Sequence, residues 1–349
     1  MPRSILILLL LSTSIACQGP QDTSINFSLT EQHSGTDALL IAMSILDENK
    51  VWMSGTKSTF MRTKDGGNSW ELFSHPEIDT FQYRDIHAFD EGSVVLLSIG
   101  EGANSQIHLF SASGGWKVAF VMDHPKGFLN SIDFWDDEIG LAYGDSFDGK
   151  PYLMKTEDGG RTWDRIDPEV LPDAPEGEGG FASSGSCISV QPGGLAWVGT
   201  GAGGSARVLK TSDYGQSWTS FETPIVKGDA AGITSIHFRN NNHGLIAGGD
   251  LANTDTYTEN LAFSIDGGES WVLTEPPETT GAFYGSDLIG MKGKTIVVAC
   301  GPNGADMTFD AGQTWNTIST EDLWVADLHE DGYGWLAGRE GKIFKLVLN

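Results

Sequence analysis

The chain has 349 residues and sets 21 Lys+Arg against 47 Asp+Glu, a formal net charge of −26. Phosphate backbones and anionic lipid surfaces both need clustered cations, so neither nucleic acid nor an acidic bilayer is an electrostatic partner here. Hydrophobic residues make up 39% and charged residues 19%, which excludes a disordered chain, and the 45 glycines imply many tight turns.

The first element is a leader. Arg3 precedes the apolar run Ile5–Leu11, which is too short to cross a bilayer, and Ser14-Ile15-Ala16-Cys17 follows. Small residues before a cysteine resemble the bacterial lipobox, so residues 1–17 are expected to be a lipoprotein-type signal peptide with Cys17 as the lipidated mature N-terminus. Acyl chains anchor a domain without spanning the membrane. The expected location is therefore the bacterial cell envelope, periplasm or outer membrane. Residues 18–24 form a short tether and residues 25–349 a single domain.

A spare strand, Ile25-Asn-Phe-Ser-Leu29, comes next, and then a repeat organises the chain. Five segments share one pattern: Thr63-Lys-Asp65-Gly-Gly-Asn-Ser-Trp70, Thr156-Glu-Asp158-Gly-Gly-Arg-Thr-Trp163, Thr211-Ser-Asp213-Tyr-Gly-Gln-Ser-Trp218, Ser264-Ile-Asp266-Gly-Gly-Glu-Ser-Trp271 and Thr308-Phe-Asp310-Ala-Gly-Gln-Thr-Trp315. A shortened copy, Ser111-Ala-Ser-Gly-Gly-Trp116, fills the gap between the first two. In each, an Asp carboxylate can accept turn N–H groups, Gly supplies a positive φ, a hydroxyl closes the loop and Trp buries its ring against the neighbouring unit. These Asp and Trp residues are structural.

Upstream of each box lie three strands, the first exemplified by Asp85-Ile-His-Ala-Phe89, Ser131-Ile-Asp-Phe-Trp135 and Ser235-Ile-His-Phe238. The second ends in glycine, and from Gly55 to Gly338 seven such glycines recur about every 47 residues. That period suits a four-stranded propeller blade. The expected fold is all-β, a seven-bladed β-propeller. The seventh unit stops after Lys342-Ile-Phe-Lys-Leu346, so the N-terminal strand is expected to pair beside it and close the ring.

With these boxes, Gly334-Trp-Leu-Ala-Gly-Arg-Glu-Gly-Lys-Ile-Phe344 and Asp136-Asp-Glu-Ile-Gly-Leu-Ala-Tyr-Gly144, the chain resembles the BNR/Asp-box propellers of the photosystem II stability/assembly-factor-like family, within the sialidase-like superfamily. The resemblance covers essentially the whole mature chain. For photosynthetic members it implies an assembly chaperone that uses a basic patch to hold a reaction-centre subunit, and a chain at −26 has no obvious equivalent. Sialidases need an arginine triad and an Arg-Ile-Pro motif, and that motif is absent here.

Candidate site residues fall in the loops joining units and joining second to third strands, which share one face. The long ones are Glu101–Gln106, Asp145–Pro151, Asp167–Ser184, Gly199–Ala206, Asp250–Asn260 and Pro302–Ala305. Arg84 and Arg207 open strands there, Glu101, Asp145, Glu176, Glu178 and Asp250 sit in the loops, and Ser184 enters the fourth inner strand. Two arginines amid carboxylates can grip an anionic ligand group, or they can pair with the acids beside them. The expected function is a lipid-anchored, monomeric module that binds a protein or glycan ligand on this face and assists assembly. The alternative is a glycoside hydrolase-like enzyme with two rim carboxylates about 5–9.5 Å apart.

No cofactor is expected. Gly199-Thr-Gly201-Ala-Gly-Gly204 matches a dinucleotide fingerprint, but a strand follows it where a helix is required. Asp250–Asn260 lacks EF-hand spacing, so no metal is assigned. Cys187 and Cys300, in apolar strands, are expected to be buried free thiols.

Overall fold

The computed structural model describes residues 24–255, 257 and 259–349. Cys17, the leader and residues 18–23 of the tether lie outside them. Among the described residues there is no α-helix, only strands and three short 3-10 turns. The strands form seven four-stranded antiparallel sheets. From the channel outward, the second blade runs Tyr83–Asp90, Ser93–Ser98, Gln106–Ser111 and Gly115–Val121, and the others repeat that order. The expected seven-bladed propeller is what forms.

The ring closes as the strand count requires. Phe27–His33 becomes the outer strand of the seventh blade, antiparallel to Lys342–Leu348, with Leu29 opposite Leu346. Each strand is two residues longer than the five-residue segment expected, and the first starts at Phe27 instead of Ile25. Gln32 extends the closure to the first blade, since its Nε2 donates to Gly66 O (2.9 Å) while its Oε1 accepts from Trp335 Nε1 (3.1 Å).

The core lies between blades. Each apolar cluster joins two consecutive sheets, for example Leu141, Tyr143 and Leu153 of the third with Ala196, Val198 and Leu209 of the fourth. The box tryptophans complete these seams, each against the preceding blade. Trp163 joins the cluster of Val95 and Leu97, Trp218 that of Leu141, Trp271 that of Trp197 (through Phe238) and Trp315 that of Leu245. Trp70 packs half-buried beside Trp335 of the seventh blade.

The box turns are wired as their residue types dictate. In the first, Asp65 Oδ1 accepts from Thr63 Oγ1 (2.9 Å) and from the Ser69 amide (2.8 Å), and Oδ2 accepts from Ser69 Oγ (2.6 Å). Thr63 Oγ1 in turn accepts from the Gly67 amide (2.8 Å). The same bonds recur at Asp158, Asp213, Asp266 and Asp310. Partial burial alone would raise the Asp266 carboxyl, but these donors overcome it and hold it down at about 2. In the shortened copy no Asp is present and Ser111 pairs with Gly115 in a tight turn.

Because inner strands start on one side and boxes close on the other, the molecule has a loop face and a hairpin face. Of the expected long loops, Asp145–Pro151 is instead a tight turn at Asp148–Gly149 between strands Gly140–Phe147 and Lys150–Thr156. Pro302–Ala305 is likewise a tight turn, between Lys294–Gly301 and Gly304–Thr308. In both the ladder runs up to the turn, with Phe147 opposite Lys150 and Gly301 opposite Gly304, so strand pairing wins over loop. Cys187 and Cys300, the cysteines among the described residues, are buried free thiols.

Removing residues 22–33 deletes the whole closing ladder and leaves Lys342–Leu348 as an open edge. We expect the unfolding midpoint to fall by about 10 °C or more, measured by calorimetry or circular dichroism. An unchanged midpoint would show that the ring does not depend on this strand.

Candidate functional site

Inner strands present a backbone edge to the channel that no further strand covers, and unpaired N–H groups there need acceptors. Short polar side chains of the preceding blade supply them. Ser44 Oγ accepts from Ala88 N (3.1 Å), Asp85 Oδ2 from Ile132 N (2.7 Å) and Asp133 Oδ2 from Val190 N (3.2 Å). Ser189 Oγ accepts from Phe238 N (3.0 Å), Ser235 Oγ from Ser286 N (3.2 Å) and Asp287 Oδ2 from Leu328 N (2.7 Å). The clasps run from the first blade to the seventh in order. None of these residues was singled out as functional by sequence. Their signal was a polar residue alternating within an apolar first strand.

The channel, lined by Ser44, Asp85, Asp133 and Asp287 among others, encloses about 260 Å³. Burial pushes the Asp85 carboxyl well above the usual range, despite the Ile132 and Ser131 donors, and raises Asp133 to about 6. Burial, and then the neighbouring Asp287 charge, push Asp327 well above it. His237 Nδ1 lies 2.9 Å from Asp287 Oδ1. Burial disfavours a charged ring there, but Asp287, Asp327 and Asp133 outweigh it and raise His237. Burial lowers His87 to about 4. Burial thus makes these channel acids hold their protons more tightly than free carboxylates do.

The Asp167–Ser184 insertion closes the channel on the loop face. Its root is an ion pair. Glu178 Oε1 and Oε2 accept from Arg207 Nε (2.6 Å) and Nη2 (2.8 Å), Thr200 Oγ1 donates to the same Oε1 (2.9 Å), and Arg207 Nη2 also reaches Asp173 O (2.8 Å). Both partners are buried. The next residues cross the channel end as a strap. Asp145 Oδ1 accepts from Gly180 N (3.0 Å), Ala182 O from Arg84 Nη1 (3.0 Å) and Gly185 O from Ser131 Oγ (2.8 Å), while Ser184 Oγ donates to Tyr284 O (2.6 Å). Gly201 is required beneath it, since a Cβ there would sit 2.4 Å from the Phe181 ring and 2.9 Å from Gly232 Cα.

The sequence-derived candidates therefore separate. Glu178 and Arg207 satisfy one another and bolt the strap, so neither is free to hold a ligand. Asp145 and Ser184 position the strap as well, and Ser184 precedes the fourth inner strand, Ile188–Gln191, instead of entering it. Glu101 caps an exposed 3-10 turn, Gly102–Asn104. Glu176 is exposed in a separate groove with Gly203 and Asp229. Asp250 accepts from Ala252 N (2.9 Å) in its own loop. These carboxylates do not converge on one point.

Arg84 is different. It stands at the channel mouth with its guanidinium carbon 5.4 Å from the Trp324 ring centre, and Trp324 meets Tyr284 edge-on at 4.7 Å. Nη1 donates to Ala182 O, Nη2 donates to Gln82 Oε1 (2.7 Å), and Nε is buried without a partner. Among the described residues no carboxylate pairs with it. Burial lowers it to about 10, which leaves it charged at neutral pH. Arg339 flanks the same mouth, paired with Asp322, which also accepts from Trp324 Nε1 (2.9 Å). Tyr284 and Trp324 carried no motif in the sequence.

No protein-family model matches the chain, and no curated protein sequence matches it. Solved propellers do. YCF48 bound to a D1 peptide is similar over 97% of this chain and 99% of its own, with a TM-score of 0.64 at 15% identity. YCF48 from Cyanidioschyzon merolae covers 91% and 98%, with a TM-score of 0.64 at 14% identity. The WD40 propeller domain of Doa1 covers 93% and 97%, with a TM-score of 0.60 at 13% identity. The photosystem II assembly-factor resemblance read from the boxes is thus matched in three dimensions, as a likeness of fold.

Two measurements test the assignments above. Arg207→Ala leaves the buried Glu178 unpaired, and we expect a loss of about 3–5 kcal/mol in denaturant unfolding. Asp133, raised to about 6 from an ordinary value near 3.9, contributes stability that is complete below pH 4 and lost as pH rises through 6. The melting temperature of Asp133→Asn relative to wild type should therefore rise between pH 4.5 and pH 7.5. With the side chain 30% exposed, the pH-dependent part is about 1–2 kcal/mol. A difference that stays constant with pH would show that Asp133 titrates normally.

Proposed function

We propose that the chain is an envelope-anchored propeller that binds a protein or peptide segment across the channel mouth of its loop face and so assists assembly of a partner. One observation carries this reading: Arg84, in a protein of net charge −26, keeps a guanidinium without a carboxylate over the Trp324 ring, which Tyr284 backs edge-on. A desolvated arginine with an unused N–H beside Trp and Tyr is the composition of a binding hot spot. Its Nη2 edge, shared only with the exposed Gln82 side chain, suits a carboxylate or backbone carbonyl of an incoming chain, and the half-buried Trp324 ring suits an apolar side chain next to it. A propeller of this fold has been solved with a peptide bound, which supports the same use of the architecture.

The location belongs to the proposal too. The lipobox-like Cys17 supports an exported, lipid-anchored chain. The carbohydrate-active alternative draws no support from Glu101, Asp145, Glu178 and Asp250, which are scattered or already paired.

Crosslinking capture from the native envelope tests the reading. Arg84→Ala should weaken capture of the partner about 10–100-fold, the value of one charge-assisted contact, and Trp324→Ala should do likewise. Both variants should still unfold cooperatively, with midpoints lowered by no more than several degrees for the lost strap and ring contacts. Undiminished capture by folded Arg84→Ala would move the binding surface elsewhere.

A further inference from the structure

The closing strand fixes where the tether leaves the molecule. Phe27, its first residue, pairs with Leu348 at the end of the third strand of blade seven, and third strands run from the loop face to the hairpin face. Residues before it are held on the same side. Asn26 exchanges two backbone hydrogen bonds with Asn349 (3.0 and 2.8 Å), Ile25 packs into the seam of the last two blades, and Ser24 O accepts from Lys292 Nζ (3.3 Å) in the hairpin-face turn of blade six. The chain therefore enters the propeller through the hairpin face and reaches the loop face only at His33.

We infer that the hairpin face is apposed to a phospholipid bilayer and the loop face, with the Arg84 mouth, points away from it. This rests on the lipid-anchor reading of Cys17. From Cys17 to Ser24 the chain can extend at most about 25 Å, too little to wrap round the blades and bring the other face down. The closing strand itself rises about 23 Å, so the two faces lie at clearly different heights. Nothing on the hairpin face needs to adhere. The box carboxylates are held ionised there, as at Asp65 and Asp266, so an acidic bilayer repels the face within about one Debye length of roughly 8 Å. The tether sets the orientation and charge keeps the face clear of the lipid. The partner segment that meets Arg84 then arrives from the aqueous side.

The test uses the full chain with its leader, acylated in a bacterial host and reconstituted into phosphatidylcholine vesicles containing a headgroup spin-labelled lipid. Ile265→Cys on the hairpin face (76% exposed) and Ala103→Cys on the loop face each carry one fluorophore, while the buried native thiols stay unlabelled. Quenching several-fold stronger at position 265 than at 103 is expected. Equal or reversed quenching in an acylated chain overturns the orientation and leaves the anchor standing. Mass analysis of the N-terminal peptide decides the other branch. A chain without acyl groups on Cys17, floating with vesicles no better than Cys17→Ala, overturns the anchor and the orientation together.

Discussion

Seven inner strands bring seven uncovered backbone edges to one axis, and the rest of the structure depends on how those edges are capped. A lone buried N–H costs about 1–3 kcal/mol, so a ring of them would be unaffordable without acceptors. Side chains one blade back provide them: serine where the reach is short, aspartate where one carboxylate can also serve its own strand. Asp85 does both, accepting from Ile86 and from Ile132. Aspartate in a narrow channel brings its own difficulty, mutual repulsion. Burial raises Asp85 and Asp327 well above the usual carboxylate range, and the neighbouring acids draw His237 towards its charged form beside Asp287. Both shifts lessen the repulsion.

The two faces follow from the same geometry. On the hairpin face a compact unit of hydroxyl, carboxylate and glycine is copied five times, and each copy aims its tryptophan at the blade before it. Such a turn leaves little freedom, because carboxylate and first hydroxyl are both committed to the loop. On the loop face nothing imposes a common turn, and there the chain inserts the strap. A segment with few apolar residues can cross a channel only if its backbone is satisfied. Asp145, Arg84, Ser131 and the Glu178–Arg207 pair do that from three different blades.

Much of this was legible in the sequence because it is local. A box spans eight residues, a strand alternates every second one, and a period near 47 counts blades. The closure was legible by subtraction, one strand missing at one end and one spare at the other. The roles of Glu178 and Arg207 were not. They lie 29 residues apart, and nothing in either neighbourhood tells a ligand-gripping arginine from one already gripped. The clasps escaped notice for a related reason: Asp85 and Ile132 are 47 residues apart, one whole blade, so the partner is always in the next repeat. A polar residue recurring once per period inside an apolar strand was the available sign.

Arg84 shows what remains when such internal accounts are settled. Every other arginine placed near the channel on the loop face has an acid: Arg207 has Glu178 and Arg339 has Asp322. Arg84 is desolvated enough to depress its own basicity, and still meets only a carbonyl, an amide oxygen and a ring. Structural need accounts for one of its contacts, the Ala182 carbonyl of the strap, which a lysine or a neutral donor could also satisfy. The planar fork and the Trp324 ring it stacks on have no internal purpose of that kind. In a protein with so many surplus carboxylates, a guanidinium left without one beside the strap keeps a place where another molecule's oxygen can complete the set.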